Sequence, residues 1–485
     1  MCKKIIISLI TILFFINIQI ATSYSQETVT FEKSLNDFLQ NDARLSNVLA
    51  SVSVRSATTG ELIYNYNGDT LLRPASNLKL LTAASALSAL GKEYTFSTEI
   101  YTDGKLKGKN LKGNLYIKGK GDPALLRSDI DQIVHILKKQ GIEKIHGDLI
   151  ADDSWYDDVR YSIDLPWSDE TMGYGAQISA LTFAAKKHHD PGTVIVKVQP
   201  GKSVGKKALV TVEPHTEKIK IINETITVTE KGQNTLTINR EHGTNTIVIN
   251  GEILLNDEMI ENSISVWEPT DFTLYLFKLS LKDHGIKLTE KMKRGATPTE
   301  ATMLTKHSSK PLSQLIVPLM KLSNNAYAEM FTKEMGKKIH WEGNWEKGLE
   351  VIGAELEKLG LDPNQLFLRD GSGISHVNLI STNQISKLLY EIQRQEWFPL
   401  FFDSLPVAGS EDELEGGTLR YRLKGTSTYR NVHAKTGTLT TVSSISGYTK
   451  TKAGEILTFS IILNNLIDDY SGKSIEDQIV TILTK

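Results

Sequence analysis

Apolar residues recur along the chain with two different spacings, which predict helices in some segments and strands in others. The run 78–87 is rich in Ala and Leu, contains neither Gly nor Pro and follows Pro74, so it predicts a helix. Amphipathic spacing over 312–335 and 345–359 predicts further helices later in the chain. Short runs rich in Val, Ile, Thr and Tyr predict strands, among them 115–117, 193–198 and 219–222.

Two longer stretches have an almost continuous strand pattern. From about 201 to 265 the pattern is nearly all β, with turns predicted at Lys231-Gly232, His242-Gly243 and Asn250-Gly251. A second β-rich stretch follows Gly437 and includes 456–463. Helices and strands mixed in this way predict an α/β (α+β) fold.

Residues 1 to about 25 have the composition of a secretory signal peptide. Lys3 and Lys4 precede a nearly continuous apolar run, and the small residues of 21–26 offer a cleavage site. We therefore expect export by a signal peptide and a mature chain in the periplasm. The alternative interpretation is a retained membrane anchor, because the apolar run is almost long enough to span a bilayer.

Length and composition exclude several classes of protein. A chain of 485 residues is too long for one hydrophobic core, so two or three domains are expected. The net charge of −2 gives no basic field that would suggest nucleic acid as a partner. No histidines have metal-ligand spacing, and the cluster His188-His189-Asp190 is interpreted as a loop, so no metal site is expected. The single cysteine, Cys2, is lost with the signal, which excludes disulfides.

The first candidate for chemistry is the pair Ser76 and Lys79. A serine hydroxyl becomes an effective nucleophile when a neighbouring base takes its proton. Residues three apart on a helix share one face, so Lys79 is placed to act as that base. Ser76 then lies near the helix N-terminus, where the helix dipole favours an alkoxide. Lys79 needs a lowered pKa, and both burial and a second cation, for which Lys435 is the candidate, would lower it.

The second candidate is the pair Ser323 and Asn325. Residues two apart do not share a face of a regular helix, so this pair predicts a turn or an irregular helix start along a cleft. Ser323 is the candidate for passing a proton to the leaving amine. Asn325 has an amide donor and acceptor for the substrate backbone.

The third candidate is Lys435-Thr436-Gly437-Thr438, directly before a strand-like stretch. Lys435 and the hydroxyl groups of Thr436 and Thr438 are suited to hold a carboxylate. Gly437 lets a substrate backbone approach closely. The backbone N–H groups of Ser76 and Thr438 are the predicted oxyanion hole.

None of these motifs is specific by itself. Ser-x-x-Lys recurs at Ser203 and Lys206, and Ser-x-Asn recurs at Ser381 and Asn383. The order of the three motifs, the Ala-rich helix after the first and the strand after the third make a joint chance match improbable. Together they supply a serine acyltransferase for a peptide with a free carboxylate, as in serine β-lactamases and penicillin-binding proteins.

From about residue 31 to its end, the chain resembles the D-alanyl-D-alanine carboxypeptidase/endopeptidases of the penicillin-binding protein 4 type, which are class C low-molecular-mass penicillin-binding proteins. Longer matches that carry the resemblance are Gly-Lys-Gly-Asp-Pro at 119–123, 147–153, 174–181, Asp-Gly-Ser-Gly-Ile-Ser at 370–375 and 405–409. The resemblance implies a serine β-lactamase/transpeptidase-like domain that acts on peptidoglycan stem peptides ending in D-Ala-D-Ala. It also implies inhibition by β-lactams and no cofactor. The oligomeric state stays open.

The resemblance assigns substrate-binding roles to two residues outside the three motifs. Asp152 falls where an aspartate of the family's second domain helps to bind the substrate's side-chain amine; the alternative is a solvated loop acid within an acidic run. His376 stands where many members have Arg, so it contacts the substrate side chain or is a surface or packing histidine. The segment 410–416 is longer and more acidic than usual, and we interpret it as a solvated insertion.

The long stretch between Ser76 and Ser323 has room for inserted domains, whereas compact serine β-lactamases place these two motifs much closer. With the resemblance, this spacing predicts a catalytic domain split by a large β-rich insert that itself contains a small β domain. The expected bounds are 1–25 for the signal peptide, 28–98 and 291–485 for the catalytic domain, 99–200 and 266–290 for inserted domain II, and 201–265 for nested domain III.

The leading interpretation is a serine D-Ala-D-Ala carboxypeptidase, with D,D-endopeptidase activity on cross-links as a further possibility. The first alternative is a serine β-lactamase. Class A enzymes need a glutamate downstream of the second motif for deacylation, and the one Glu-x-x-Leu-Asn, at 32–36, lies upstream of Ser76. Slow deacylation and trapping of penicillin are therefore expected. The second alternative, an inactive peptidoglycan-binding protein, would not turn over a D-Ala-D-Ala peptide.

Overall fold

A computed structural model describes residues 31–485. The predicted signal peptide, at 1–25, lies outside the described residues. Within residues 31–485, no helix is long and apolar enough to cross a membrane. The chain forms two compact units.

The helices, in chain order, are α1 (31–41), α2 (Lys79–Ala89), α3 (Arg127–Lys139), α4 (Pro269–Asp283), α5 (Leu312–Lys321), α6 (Asn325–His340), α7 (Trp345–Lys358), α8 (Thr382–Glu391), α9 (Phe398–Ser404), α10 (Glu413–Gly416) and α11 (Asp469–Leu483). The strands are β1 (Leu49–Ser56), β2 (Leu62–Tyr66), β3 (Ser97–Thr102), β4 (Lys105–Lys107), β5 (Asn110–Lys112), β6 (Leu115–Lys120), β7 (Lys144–Ile145), β8 (Leu149–Asp152), β9 (Thr193–Gln199), β10 (Leu209–Glu213), β11 (Lys220–Val228), β12 (Thr237–Arg240), β13 (Thr246–Leu254), β14 (Ile260–Ser265), β15 (Lys287–Leu288), β16 (Met292–Arg294), β17 (Thr302–Ser308), β18 (His433–Leu439), β19 (Val442–Lys450) and β20 (Ile456–Asn464).

The first unit contains the described residues up to Asn77 together with Leu359–Phe367 and Asn378–Lys485. Its antiparallel sheet has the strand order β18-β19-β20-β1-β2. Almost every residue of β19 and β20 is buried, because α8 and α11 pack against these strands. The sheet places β18, which carries the third motif, at its edge.

The second unit contains Leu78–Lys358 and Leu368–Val377. Its strands form four sheets, with the orders β16-β8-β6-β3-β17, β15-β7-β5-β4, β10-β9-β14 and β11-β13-β12. Apolar side chains of the first sheet, of α3 and of α4 share one core, which includes Ile117, Val134 and Phe277. Helices α2, α5, α6 and α7 pack on one another in the same unit.

Most of the predicted elements are present, and two differ in instructive ways. The helix predicted at 78–87 is confirmed as α2, and the strands at 115–117, 193–198 and 219–222 lie in or next to β6, β9 and β11. The stretch 312–335 is two helices, α5 and α6. They are separated because Ser323 has a left-handed backbone (φ 60°), which an α-helix excludes.

The turn predicted at Asn250-Gly251 is wrong. Both residues lie inside β13, where they pair in parallel register with Glu224 and Thr225 of β11. Gly251 has φ 99°, and a Cβ there would lie 2.3 Å from the backbone oxygen of Thr235. Gly251 therefore allows two chain segments to approach closely within the sheet. A glycine is needed for this contact just as it is in a tight turn, so the Asn-Gly pair was mistaken for a turn.

The division into units differs from the predicted domain bounds at 98/99 and 290/291. Residues 78–98 and 291–358 belong with the second unit because α6 bonds directly to the inserted segment. Lys333 donates to Asp157 Oδ1 at 2.5 Å, and Tyr156 donates to Glu334 Oε2 at 2.8 Å. Strand β9 pairs with β10 and β14, so the small sheet begins before residue 201. The three-domain division remains a prediction.

The acidic segment 410–416 is exposed over 411–414 and forms α10, as a solvated insertion would. The C-terminal end of the segment is held by Glu415, which accepts a hydrogen bond from Ser410 Oγ at 2.5 Å and forms an ion pair with Arg430.

Candidate active site

The residues of the three motifs are divided between the two units. The first unit contains Ser76 and residues 435–438, and the second contains Lys79, Ser323 and Asn325. The chain crosses from one unit to the other between Asn77 and Leu78, inside a helical segment. Ser76 lies in the 3-10 turn Ala75–Leu78, and Lys79 is the first residue of α2.

Ser76 follows a backbone outlier. Ala75 has φ 48°, a conformation that costs energy for a residue with a side chain. Ser323 is likewise left-handed, with φ 60°. Strained residues of this kind cluster at functional sites, and here one directly precedes the candidate nucleophile and the other is the candidate proton relay.

In the first unit, Gly437 packs directly against the turn that carries Ser76. A Cβ built at Gly437 would lie 2.8 Å from the backbone nitrogen of Ser76, 2.9 Å from the oxygen of Pro74 and 2.4 Å from Ser444 Oγ. Ser444 Oγ itself donates to the Pro74 oxygen at 2.7 Å. Only glycine fits this contact, which brings β18 against the first motif.

Asn77 joins the same turn to the sheet. In the orientation that satisfies both ends of its amide, it donates to the backbone oxygen of Lys435 at 2.7 Å and accepts from Ser446 Oγ at 2.8 Å. Ser446 Oγ also lies 2.8 Å from Ser460 Oγ, from which it accepts a hydrogen bond, so the polar contacts continue across β19 and β20. The main chain of Lys435 is thereby fixed relative to the residue after Ser76.

The charged and hydroxyl groups of the third motif lie on β18. Lys435 is fully buried, and its Nζ donates to the backbone oxygen of Thr436 at 2.7 Å. Thr436 Oγ1 donates to Thr418 Oγ1 at 2.7 Å, and Thr438 is exposed. Thr418, in the turn Gly417–Leu419, was not singled out from the sequence; it fixes one of the hydroxyl groups proposed to meet a carboxylate.

In the second unit, Lys79 lies on α2 and is fully buried. Its Nζ donates to Asn325 Oδ1 at 2.6 Å and to the backbone oxygen of Ser372 at 2.8 Å. The structure therefore joins a residue of the first motif to a residue of the second. Ser372 belongs to the Asp-Gly-Ser-Gly-Ile-Ser match, so this segment contributes a backbone carbonyl group to the site.

Burial lowers the pKa of Lys79 to about 8, against the attraction of the carboxylates of Glu329, Asp370 and Asp190. At pH 7 roughly one lysine in ten is then neutral, far more than for a lysine with the ordinary pKa near 10.4. The lowered pKa that the sequence analysis required is present, and burial is its main cause.

The second motif begins α6 as an irregular helix start, as predicted. Asn324 is the N-cap, and its side chain accepts a hydrogen bond from Tyr327 N at 3.0 Å. Asn325 is the first helical residue, and its Nδ2 donates to the backbone oxygen of Tyr174 at 3.0 Å. Its amide is thus oriented at both ends, with the oxygen toward Lys79.

Two buried carboxylates hold the loop 370–375 in place: Glu329, which sequence reasoning missed, and Asp370, which was part of a family match but was given no role. Glu329 accepts from the backbone nitrogens of Gly371 and Ser372, both at 2.9 Å, and from Trp345 Nε1 at 2.7 Å. Asp370 accepts from the backbone nitrogens of Gly373 and Ser375, at 2.8 and 2.7 Å. Burial raises the pKa of Glu329 to about 7, with the charge of Asp370 adding to it. Glu329 lies four residues after Asn325 on α6, and this spacing, which places two residues on one face of a helix, was the signal in the sequence that could have identified it.

A small cavity that is open to solvent lies beside Asn325 in the second unit. Its other lining residues include Tyr174, Glu329, Ser372 and Ile374. The cavity therefore borders the second motif and the loop whose carbonyl group holds Lys79.

Asp152 lies at the end of β8 and is buried, so it is not a solvated loop acid. Its Oδ1 accepts from Ser154 Oγ at 2.6 Å, its Oδ2 accepts from Thr297 N at 2.8 Å, and Lys118 Nζ lies 3.3 Å away. Burial opposes ionisation, but the hydrogen bonds outweigh it and hold the pKa of Asp152 below its usual value. Both oxygens have partners within the unit, and contact with a substrate amine remains a prediction.

His376 is partly exposed at the end of the loop 370–375, and its predicted contact with a substrate side chain also remains a prediction.

The second Ser-x-x-Lys and Ser-x-Asn matches differ from the candidate motifs in their surroundings. Ser203 and Lys206 lie on an exposed turn, whereas Ser76 and Lys79 do not. Ser381 caps α8, accepting from Gln384 N at 3.3 Å.

The chain is similar to known proteins over most of its length. A family model described as the D-Ala-D-Ala carboxypeptidase 3 (S13) family matches residues 31–485. The D-alanyl-D-alanine carboxypeptidase of Actinomadura sp. strain R39 is 37% identical over 431 residues, which are 88% of this chain and 80% of that protein.

Solved structures give the same result. The crystal structure of penicillin binding protein 4 from Haemophilus influenzae aligns with a TM-score of 0.81 at 26% identity, over 93% of this chain and 99% of that one. The same protein complexed with a β-lactam aligns with a TM-score of 0.75 at 25% identity, over 91% and 97% of the two chains. The predicted fold class is confirmed.

Proposed function

This chain belongs to the D-Ala-D-Ala carboxypeptidase 3 (S13) family, and on that premise we propose that it removes the terminal D-alanine of peptidoglycan stem peptides through an acyl-enzyme on Ser76. The family and the enzyme class expected from the sequence are thereby confirmed. The observation that carries the residue assignment is the buried Lys79, which has a pKa of about 8 and bonds to Asn325.

Acylation begins when neutral Lys79 takes the hydroxyl proton of Ser76, either directly or through a water molecule. Ser76 Oγ then attacks the carbonyl carbon of the penultimate D-alanine. The negative charge that develops on the carbonyl oxygen is stabilised by the backbone N–H groups of Ser76 and Thr438. The contact of Gly437 with the Ser76 nitrogen supports this assignment, because it brings the two segments together.

Collapse of the tetrahedral intermediate breaks the C–N bond, and Ser323 passes a proton to the departing amine of D-alanine. Lys435 and the hydroxyl groups of Thr436 and Thr438 hold the free carboxylate of that terminal residue. Water then attacks the ester on Ser76, which releases the shortened peptide with a new carboxylate and returns the proton to the enzyme. A β-lactam would acylate Ser76 in the same way, and slow hydrolysis of that ester would trap the enzyme.

The same chemistry would cleave a D,D cross-link, in which the departing amine belongs to a second stem peptide. We infer that the signal at 1–25 exports the enzyme and that it acts on peptidoglycan in the periplasm. The N-terminal sequence of the protein recovered from cells tests export, because a chain that begins at Met1 would rule out cleavage of the signal.

Fluorescent penicillin labelling tests the proposed nucleophile. Wild type and Ser203→Ala should both be labelled and should release D-alanine from a D-Ala-D-Ala peptide, whereas Ser76→Ala should do neither. Peptide mapping of the labelled protein should find the adduct on Ser76. An adduct on Ser203, or release of D-alanine by Ser76→Ala, would sink the assignment. A labelled wild-type enzyme that hydrolyses penicillin rapidly would instead be a β-lactamase.

A further inference from the structure

An exposed tryptophan lies near the cavity beside Asn325. Trp167 belongs to the short 3-10 helix Trp167–Asp169, and 69% of its surface is accessible to solvent. Large aromatic side chains are usually buried to a high degree, because removing their apolar surface from water is favourable. An exposed indole face near a cavity that borders the second motif is a candidate contact for a ligand.

The ring of Trp167 packs against other aromatic side chains of the second unit. Its centroid lies 4.3 Å from that of His242, at an interplanar angle of 36°, and His242 makes an edge contact with Trp267 at 5.3 Å. Nδ1 of His242 lies 3.0 Å from both carboxylate oxygens of Glu170. Arg240 lies over the ring of Trp267 at 5.6 Å. We call Trp167, His242 and Trp267 the aromatic platform.

The aromatic platform continues from the cavity beside Asn325. Leu165, two residues before Trp167, lines that cavity, and so does Tyr174. The hydroxyl group of Tyr174 donates to Asp169 Oδ1 at 3.3 Å, and Asp169 ends the turn that carries Trp167. The cavity and the aromatic platform are therefore joined through Tyr174 and the turn Trp167–Asp169.

We propose that the aromatic platform binds the carbohydrate chain of the substrate, a polymer of N-acetylated amino sugars. Sugar rings present rows of C–H bonds on their faces, and these pack well on the electron-rich face of an indole. The groups beside Trp167 suit the polar edges of such a ring, because Ser168 is exposed and Asp169 is partly exposed. The inference rests on the proposed function for the identity of the polymer.

The test uses the mature protein and a peptide-free oligomer of N-acetylglucosamine, with binding measured by calorimetry and by tryptophan fluorescence. Wild type should bind the oligomer, and Trp167→Ala and Trp167→Leu should bind roughly three- to tenfold more weakly. Trp167→Leu keeps an apolar side chain and removes only the aromatic face. Trp341→Ala is the matched control: Trp341 is 79% exposed in the same unit, and it stacks on no aromatic ring of the described chain. It should bind as wild type does.

Turnover of a small D-Ala-D-Ala peptide that carries no sugar separates this inference from the proposed function. Trp167→Leu should lose rate on peptide-bearing glycan strands relative to its rate on the small peptide, and Trp341→Ala should not. Absence of oligomer binding by wild type, or equal binding by Trp167→Leu, would overturn the inference even if the small peptide is cleaved. Concentration-dependent dimerisation that Trp167→Leu abolishes would also overturn it, because a second copy would then cover the aromatic platform.

Discussion

Replacing Gly437 by alanine tests whether the third motif shapes the acylation site through the backbone of Ser76. The added Cβ would lie 2.8 Å from the Ser76 nitrogen and 2.9 Å from the Pro74 oxygen, and both are backbone atoms that no side-chain rotation removes. The nitrogen must move by about 0.6 Å to reach the 3.4 Å of an ordinary contact. That nitrogen is one of the two proposed oxyanion donors, so the perturbation acts directly on the site.

Two effects of different size are expected. Loss or misplacement of one oxyanion donor costs about 10²- to 10³-fold in rate, or roughly 3–4 kcal/mol of transition-state stabilisation. Overpacking of a well-packed contact costs about 1–3 kcal/mol of folding free energy. The variant should therefore stay folded with a slightly lower melting temperature, while its acylation becomes very slow.

The assay is the second-order rate of acylation by a fluorescent penicillin, with thermal unfolding measured on the same samples. Gly425→Ala is the matched control, because the nearest atom to a Cβ there is Thr428 Oγ1 at an ordinary 3.4 Å. It should acylate at the wild-type rate. If Gly437→Ala also acylated within about threefold of wild type, the close contact would not matter for the oxyanion site and the assignment of the Ser76 nitrogen would be refuted.

Three further predictions follow from the titration and charge of the site. Acylation should rise about tenfold per pH unit up to about pH 8 and then level off, because Lys79 must be neutral and its pKa is about 8; a rate independent of pH between 6 and 8 would exclude Lys79 as the base. In Glu329→Gln this rise should move to lower pH, because the Glu329 carboxylate raises the pKa of Lys79 and the amide carries no charge; an upward movement in the pH–rate profile would contradict the predicted coupling. A substrate amidated at its terminal carboxylate should lose roughly 2–4 kcal/mol of transition-state binding in wild type and much less in Lys435→Ala, measured as kcat/KM for the acid and the amide. Wild type that cleaves both equally would be better described as an endopeptidase that does not sense a chain end.

Residues close together in the sequence were sufficient to identify several parts of the site. The Ala- and Leu-rich run after Ser76 predicted α2, and the alternation after Gly437 predicted the strands behind the third motif. The same local logic predicted an irregular helix start at Ser323, where the strained φ of 60° ends one helix before the next begins. Local preference failed at Asn250-Gly251, because a glycine needed for close packing within a sheet has the same signal as a turn glycine.

Other parts depended on contacts between distant segments. Lys79 has a lowered pKa because surrounding segments bury it, and its partners Asn325 and Ser372 come from elsewhere in the chain. Glu329 looked like an ordinary helix glutamate until the loop 370–375 was seen to donate two backbone hydrogen bonds to it. Likewise, Trp167 and His242 are far apart in the sequence and stack only in the folded chain. Periodicity and motif order record what neighbouring residues prefer, whereas burial, charge proximity and ring stacking arise from packing, and only the tertiary structure decides them.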